Sequence, residues 1–424
     1  MFKKTLLILL LIFLSIISLT TLGLAETKFI IKPMFTVSGQ MESNFYKAPS
    51  NEREVYTYLL QPGIQLGFET RKSKVLLNYT MEAYFYDDKS DVPEGADPAD
   101  DENYVGHLLI FNANHALTRR ATLGLRDSFY RTRTAGVYDE LTNYVISDSV
   151  ERRKYDINRF TPLIFIDFEN RFSLGLRYRR TDRWFADTDI DDFTEHRGIF
   201  NLLYNPTRTI TLDLDYQRWA VEYDDILSGS EYTSDQIKLL LQKRYKYFSF
   251  EAGIGYHNRD FNDRDAEDVD DVNYRLAITW QNPPIPETTR FLGDYFIRAR
   301  NHIHFAFEQN FNNLGYFYDY YTCDRYTMSV GHVFYEKILA RLKGYYQISD
   351  YRSPGIREDD RYDVSASIGY LISERMTLSF EAGKEERDSN IDSYDYVDKY
   401  VMVKFDFNYD IGSRGEYSEE GLYY

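Results

Sequence analysis

Cysteine is almost absent: Cys323 stands alone in 424 residues. No internal disulfide can form, so no bridge framework supports the fold. Tryptophan is scarce too, at three residues, and positive charge is in deficit, with 50 Lys and Arg against 67 Asp and Glu and a net charge of −17. That balance argues against a nucleic-acid partner, which would want a basic surface. Beyond the first 24 residues no stretch approaches 18 consecutive apolar residues, so no further helical membrane span is expected. The mean hydropathy is −0.51. A membrane wall made of strands is compatible with that value, because only alternate residues of such a wall face lipid.

The first 25 residues read as a secretory signal peptide. Lys3 and Lys4 precede an apolar run starting at Leu6, and Gly23-Leu24-Ala25 offers a small-residue cleavage site before Glu26. An uncleaved helical anchor over Leu6–Leu24 is the competing reading, and the clean cleavage site disfavours it. No Cys follows Ala25, so a lipoprotein is not expected. Removal of the segment takes the net charge from −17 to −19.

What is abundant is alternation. Phe248, Phe250, Ala252, Ile254 and Tyr256 interleave with Ser249, Glu251, Gly253, Gly255 and His257. Val401, Val403, Phe405 and Phe407 interleave with Met402, Lys404, Asp406 and Asn408. A period of two places each set on one face of a strand. The pattern recurs in about eighteen segments between Phe29 and Asp410. Short polar connectors such as Arg71-Lys72-Ser73, Thr118-Arg119-Arg120 and Tyr335-Glu336-Lys337 take turns with long ones near 47–53, 87–103, 132–150 and onward. A Pro-rich segment, Asn282-Pro283-Pro284-Ile285-Pro286, stands where another short turn is due. An all-β, transmembrane, antiparallel up-and-down β-barrel of about 18 strands is the expectation. The domain layout is signal peptide 1–25, barrel 26–410 and a short polar tail 411–424. Short periplasmic turns and long extracellular loops then put both termini in the periplasm of a Gram-negative type outer membrane. The 39 Tyr and 29 Phe suit aromatic girdles at the two membrane interfaces.

On the face assigned to the lumen lie Arg126, Arg177, Arg179, Arg275, Arg300, Arg325, Arg341 and Lys343. A basic pathway for anions is one reading. Glu82, Asp213, Asp215, Glu251 and Glu381 share that face. A ladder of ion pairs across a polar wall is therefore the favoured reading. The long loops are acidic: Asp87 to Glu102 holds eight acids and one lysine, and Asp260 to Asp271 holds seven acids and one arginine. They read as solvated loops rather than a divalent-cation site, since no EF-hand register is present. His302 and His304, with Glu308 on the same face, make too sparse a ligand set for a transition metal. No cofactor, metal site or catalytic residue is assigned. None of the seven histidines accompanies a G-x-S-x-G elbow, so an enzyme is not expected. Tyr84, Tyr86 and Tyr345 fall on the lumen side, where ring faces could stack on sugars.

The run Tyr56-Thr-Tyr-Leu-Leu-Gln-Pro62-Gly63-Ile-Gln-Leu-Gly-Phe68, followed by Leu77, Tyr79, Tyr84 and Tyr86, resembles the second beta-barrel porin family. The hairpin Met376-Thr-Leu-Ser-Phe380 to Tyr400-Val-Met-Val-Lys-Phe405 is similar too. The resemblance implies an outer-membrane channel often associated with exopolysaccharide export. The expected function is a porin-like channel for polar solutes or exported polysaccharide. Its partners would be outer-membrane lipid and lipopolysaccharide, and a periplasmic export partner. A surface adhesion or scaffold barrel, and less favourably an outer-membrane hydrolase, are the alternatives.

Overall fold

Strand after strand, the residues that alternate in sequence separate onto two faces of one closed sheet. The computed structural model describes residues 27–133, 138–139, 144–145, 154–168, 171–186, 192–224, 231–262, 268–282, 301–313, 320–351 and 357–409. Its strands are β1 (Lys28–Glu42), β2 (Val55–Glu69), β3 (Ser73–Asp88), β4 (Tyr104–Ala116), β5 (Ala121–Thr132), β6 (Tyr155–Phe168), β7 (Phe172–Phe185), β8 (Phe193–Thr207) and β9 (Ile210–Tyr223). There follow β10 (Tyr232–Arg244), β11 (Phe248–Phe261), β12 (Val269–Asn282), β13 (Asn301–Asn313), β14 (Tyr320–Phe334), β15 (Ile338–Tyr351), β16 (Arg357–Ser373), β17 (Met376–Ser389) and β18 (Tyr396–Asn408). All eighteen belong to one antiparallel sheet, each paired with its neighbours in sequence. β1 closes the wall on β18, from Met34 opposite Asn408 to Glu42 opposite Tyr400. Closure leaves no free sheet edge around the circumference, the condition for strands to cross hydrocarbon. A two-residue ladder, Tyr138–Asp139 with Tyr144–Val145, sits between β5 and β6. The expected signal peptide and the tail 411–424 lie outside the described residues.

Most of the short connectors are tight hairpin turns. At Tyr335 and Glu336 φ is 51° and 59°, and Lys337 N donates to Phe334 O at 3.0 Å. Two successive positive φ values are the signature of a type I′ turn, whose twist matches the strands it joins. One connector departs from the expected pattern. β12 ends at Asn282 and β13 starts at Asn301, so the Pro-rich segment opens a long connection on the short-turn side; residues 283–300 lie outside the described set.

Burial inverts the habit of a water-soluble sheet. On β11, Ser249, Glu251, His257 and Arg259 are 5%, 3%, 0% and 2% exposed, whereas Phe250, Ile254 and Tyr256 are 42%, 61% and 46% exposed. The polar set is packed inward and the apolar set faces out. The outer face is also layered by height. Phe172, Phe248, Phe334 and Tyr370 stand near the short turns, aliphatic residues follow, and Tyr178, Tyr216, Tyr256, Tyr326 and Tyr346 stand towards the long connectors. Several upper tyrosines satisfy their hydroxyls on strands one or two places away. Tyr216 Oη donates to Asp235 Oδ1 at 2.6 Å, Tyr274 Oη donates to Asp324 Oδ1 at 3.3 Å, and Tyr178 Oη lies 2.6 Å from His196 Nδ1. An aromatic body in the apolar zone with a satisfied polar tip suits a membrane interface.

Candidate functional site

The inner wall is the candidate site. Cross-strand partners in an antiparallel sheet share a face, so the register decides which side chains meet. Glu251 on β11 faces Ala277 of β12; two residues along, Arg275 faces Glu308 of β13, and Glu308 faces Arg325 of β14. The side chains complete a chain of alternating charge. Gln242 Nε2 donates to Glu251 Oε1 at 3.3 Å. Arg275 Nε donates to Glu251 Oε2 at 3.1 Å and Arg275 Nη1 to Glu308 Oε2 at 2.5 Å. The Arg325 guanidinium lies 4.2 Å from the centre of the Tyr345 ring. Arg361 Nε reaches Glu385 Oε1 at 2.8 Å, and Tyr396 Oη donates to the same oxygen at 2.6 Å. Lys47, from the connector between β1 and β2, is ion-paired with Glu385.

The rest of the wall continues the pattern. Arg177 Nη2 donates to Asn201 Oδ1 at 2.6 Å, and Asn201 Nδ2 to Asp215 Oδ2 at 2.7 Å. Asp215 faces Lys238 across β9 and β10. Arg179 and Arg197 both bind Glu195, at 2.9 and 2.8 Å. The Arg197 guanidinium lies 4.1 Å over Trp219. Lys343 Nζ is 3.1 Å from Glu381 Oε1, which also accepts from Tyr400 Oη at 3.1 Å. Glu82 accepts from Gln61 Nε2 at 2.9 Å. Arg126 faces Asn112 and Thr161, and Arg341 faces Gly331 and Ser367. The structure thus puts Arg126, Arg177, Arg179, Arg275, Arg325, Arg341, Lys343, Glu82, Glu251 and Glu381 on one inner surface; Arg300 lies outside the described residues.

β1 to β4 line the wall differently. Amides and hydroxyls dominate there, with Gln65 Nε2 donating to Asn78 Oδ1 at 2.7 Å and Thr36 Oγ1 to Asp406 Oδ1 at 2.7 Å. Tyr84, Tyr86 and Tyr104 form a stack, with Tyr84 and Tyr104 centroids 4.9 Å apart and 13° between planes. The connector after β1 leans onto this stack. Phe45, 2% exposed, packs on Tyr86 at 5.0 Å, and Asn44 N donates to Asp398 Oδ1 on β18 at 3.0 Å. Tyr46 in the same connector has its phenol pushed up to about 12, first by burial and then by the nearby Glu102 carboxylate. It stays protonated throughout the physiological range.

Sequence reasoning missed Glu195, Arg197, Lys238, Arg361 and Glu385. On β8 both faces carry apolar residues, Ile199 and Leu203 inward, Phe200 and Leu202 outward, so a period of two does not say which way Glu195 and Arg197 point. His302 and His304 are spent on neighbours: His302 Nε2 lies 2.9 Å from Ser329 Oγ and His304 Nδ1 2.9 Å from Thr279 Oγ1. Among the described residues no group of three or more His, Cys, Asp or Glu side chains is placed to hold a metal.

The architecture has counterparts among solved structures. OccK2 (OpdF) of Pseudomonas aeruginosa superposes with a TM-score of 0.50 at 9% identity, over 91% of this chain and 98% of that one; at that identity the likeness is one of fold. OpdK of the same organism, solved with vanillate, gives 0.48 at 10% identity over 89% and 99% of the two chains. OccAB2 of Acinetobacter baumannii gives 0.46 at 12% identity over 90% and 98%. No curated protein matches the chain. Residues 246–409, from the turn before β11 to the end of β18, match the family described as "Putative beta-barrel porin 2", the family that the sequence resembles.

Proposed function

We propose that this chain is an outer-membrane channel for polar solutes, with an exported polysaccharide as the favoured cargo. One observation carries the channel reading: a single closed wall that is apolar outside and hydrogen-bonded, charged and polar inside. A barrel of about eighteen strands is wide enough to enclose an aqueous path. Cargo is the finer step. Half-buried Tyr84, beside the packed Tyr86 and Tyr104, and the amides of β2 and β3 offer a ring edge and hydrogen bonds, which an uncharged sugar chain could use. The resemblance to the porin family points the same way. In this reading the long connectors face the cell exterior, both termini face the periplasm, and lipopolysaccharide surrounds the upper girdle. A periplasmic export partner would dock at the short turns.

Planar-bilayer recordings of the refolded mature chain test the channel. Stepwise conductance is expected. A barrel that folds, shown by heat-modifiable gel mobility, yet never conducts would instead favour a scaffold or adhesion role. Addition of a neutral oligosaccharide should block the current transiently, and Tyr84→Ala should shorten the blocks. Open channels that no oligosaccharide interrupts would leave passage of small solutes and remove the polysaccharide.

A further inference from the structure

The two ends of the barrel differ in charge. Seven short turns join β2 to β3, β4 to β5, β6 to β7, β8 to β9, β10 to β11, β14 to β15 and β16 to β17. Each of them holds at least one cation. The first two turns carry pairs, Arg71 with Lys72 and Arg119 with Arg120. The other five carry Arg171, Arg208, Lys246, Lys337 and Arg375 in chain order. All of these side chains are exposed. Three acids share the seven turns: Glu169, Glu336 and Glu374. This surplus of cations stands in a chain whose net charge is −17. The opposite end is acidic, as the connector from Asp87 to Glu102 shows with eight acids and one lysine.

The cations sit beside a collar of outward rings. Phe172, Phe248 and Phe334 are exposed on the outer face, one to three residues from Arg171, Lys246 and Lys337. Tyr245 and Tyr335 stand in the turns themselves, and Tyr335 is 89% exposed. Lys246 Nζ lies 5.1 Å from the centre of the Tyr247 ring, and Lys243 Nζ lies 5.2 Å from that of Tyr245. Rings at the polar boundary of a membrane, with Lys and Arg stems reaching past them to charged headgroups, suit a lipid interface. The distribution selects among anionic partners. The cations do not gather on one arc; they recur at each described short turn around a closed sheet. A protein docked on one sector would use a local patch, whereas a lipid leaflet touches the whole circumference.

We propose that the short-turn rim is a binding ring for anionic phospholipid, in which the turn cations hold phosphodiester headgroups beside the exposed rings. Acidic lipids of the inner leaflet, phosphatidylglycerol for one, then collect around the barrel in preference to zwitterionic ones. The acid-rich connectors repel the same headgroups, so the two ends of the barrel are not interchangeable in a charged membrane. The attraction acts within about one Debye length, roughly 10 Å at 0.1 M salt, and weakens as salt rises. The proposal rests on the reading that the short turns face the periplasm.

The test uses spin-labelled phosphatidylglycerol and spin-labelled phosphatidylcholine, each added to phosphatidylcholine vesicles that hold the refolded mature chain. The fraction of label immobilised on the protein is measured for both. Severalfold preference for phosphatidylglycerol is expected at low salt, with most of it lost at high salt. Arg71→Gln, Lys72→Gln, Arg119→Gln and Arg120→Gln together should remove a large part of the preference. The Arg119→Gln, Arg120→Gln pair alone should remove a smaller part, so the comparison survives if the fourfold variant does not fold. Arg218→Gln with Lys384→Gln is the control: both cations lie on the outer face towards the long connectors, and each is already paired, with Asp235 and Glu386. The control should keep the preference. Equal retention of the two lipids by the unmodified chain overturns the ring and leaves an acidic protein as the partner of the rim. A preference that the rim variants keep, or that the control loses, overturns it as well. Labelling of Lys337→Cys, in a Cys323→Ser background, by an impermeant maleimide on intact cells would put the short turns at the cell surface and overturn the inner-leaflet assignment. A barrel that conducts without lipid preference keeps the channel reading and loses the ring; a chain that no vesicle accepts loses both.

Discussion

Arg275 shows what a single side chain contributes to the wall. Its guanidinium holds Glu251 at 3.1 Å and Glu308 at 2.5 Å, two carboxylates that are 3% and 9% exposed. Taking away the cation leaves Glu251 with Gln242 and Glu308 with Arg325 across the ladder, and breaking a buried pair costs about 3–5 kcal/mol. Arg275→Ala should therefore lower the urea midpoint of the lipid-embedded barrel by the equivalent of the lower end of that range, because the guanidinium is partly open to water. Arg275→Lys should recover only part, since an ammonium cannot bridge two carboxylates with a planar fork. A midpoint unchanged in Arg275→Ala would mean that the ladder is decoration. At this scale the sequence was readable where alternation was clean: Glu251 and Arg275 announce their side because Phe250, Ile254, Leu276 and Ile278 announce the other.

A strand is where the membrane claim can be cut most finely. On β16, Ser367 faces Arg341 and Glu381 across the inner wall, while the next residue, Ile368, is 60% exposed on the outside. Ile368→Lys puts a charge against hydrocarbon at a cost of about 2–4 kcal/mol near mid-membrane. Ser367→Lys should cost clearly less, as its ammonium meets Glu381 and water and is opposed only by Arg341 across the ladder. Denaturant unfolding in liposomes checks the pair, and equal costs would remove the assignment of faces. Gly383 on β17 makes a second point. It faces Tyr400 of β18, and a Cβ there would lie 2.5 Å from the ring. Gly383→Val must push Tyr400 off Glu381, and overpacking of this kind costs about 1–3 kcal/mol; a loss in the unfolding midpoint is expected, with the folded gel band retained. Strand number and face were legible because each strand repeats the same local rule. The connector after β1 was not: Phe45 read as the end of the first strand and Lys47 as a loop residue, and only the closed wall brings Tyr86 and Glu385 within their reach.

Summed over the molecule, the charges sort into two populations with different screening. Inside, the assigned cations mostly meet anions: Arg177 and Lys238 meet Asp215, Arg179 meets Glu195, Arg275 meets Glu251 and Glu308, and Lys343 meets Glu381. Such pairs leave little net field along the bore. Outside, the net charge of −17 is carried largely by the acid-rich connectors, among them Asp87 to Glu102, which stand in open water at the mouth. A mouth charge acts on passing ions only within about one Debye length, roughly 10 Å at 0.1 M salt and 3 Å at 1 M. The channel should therefore prefer cations weakly at low ionic strength and lose the preference as salt rises. Reversal potentials in matched KCl gradients, one set centred near 0.1 M and one near 1 M, measure this directly. Cation preference that persists undiminished at 1 M would locate the fixed charge in a narrow dehydrated segment of the bore, and anion preference at any salt would mean that the inner arginines, not their carboxylate partners, govern the path.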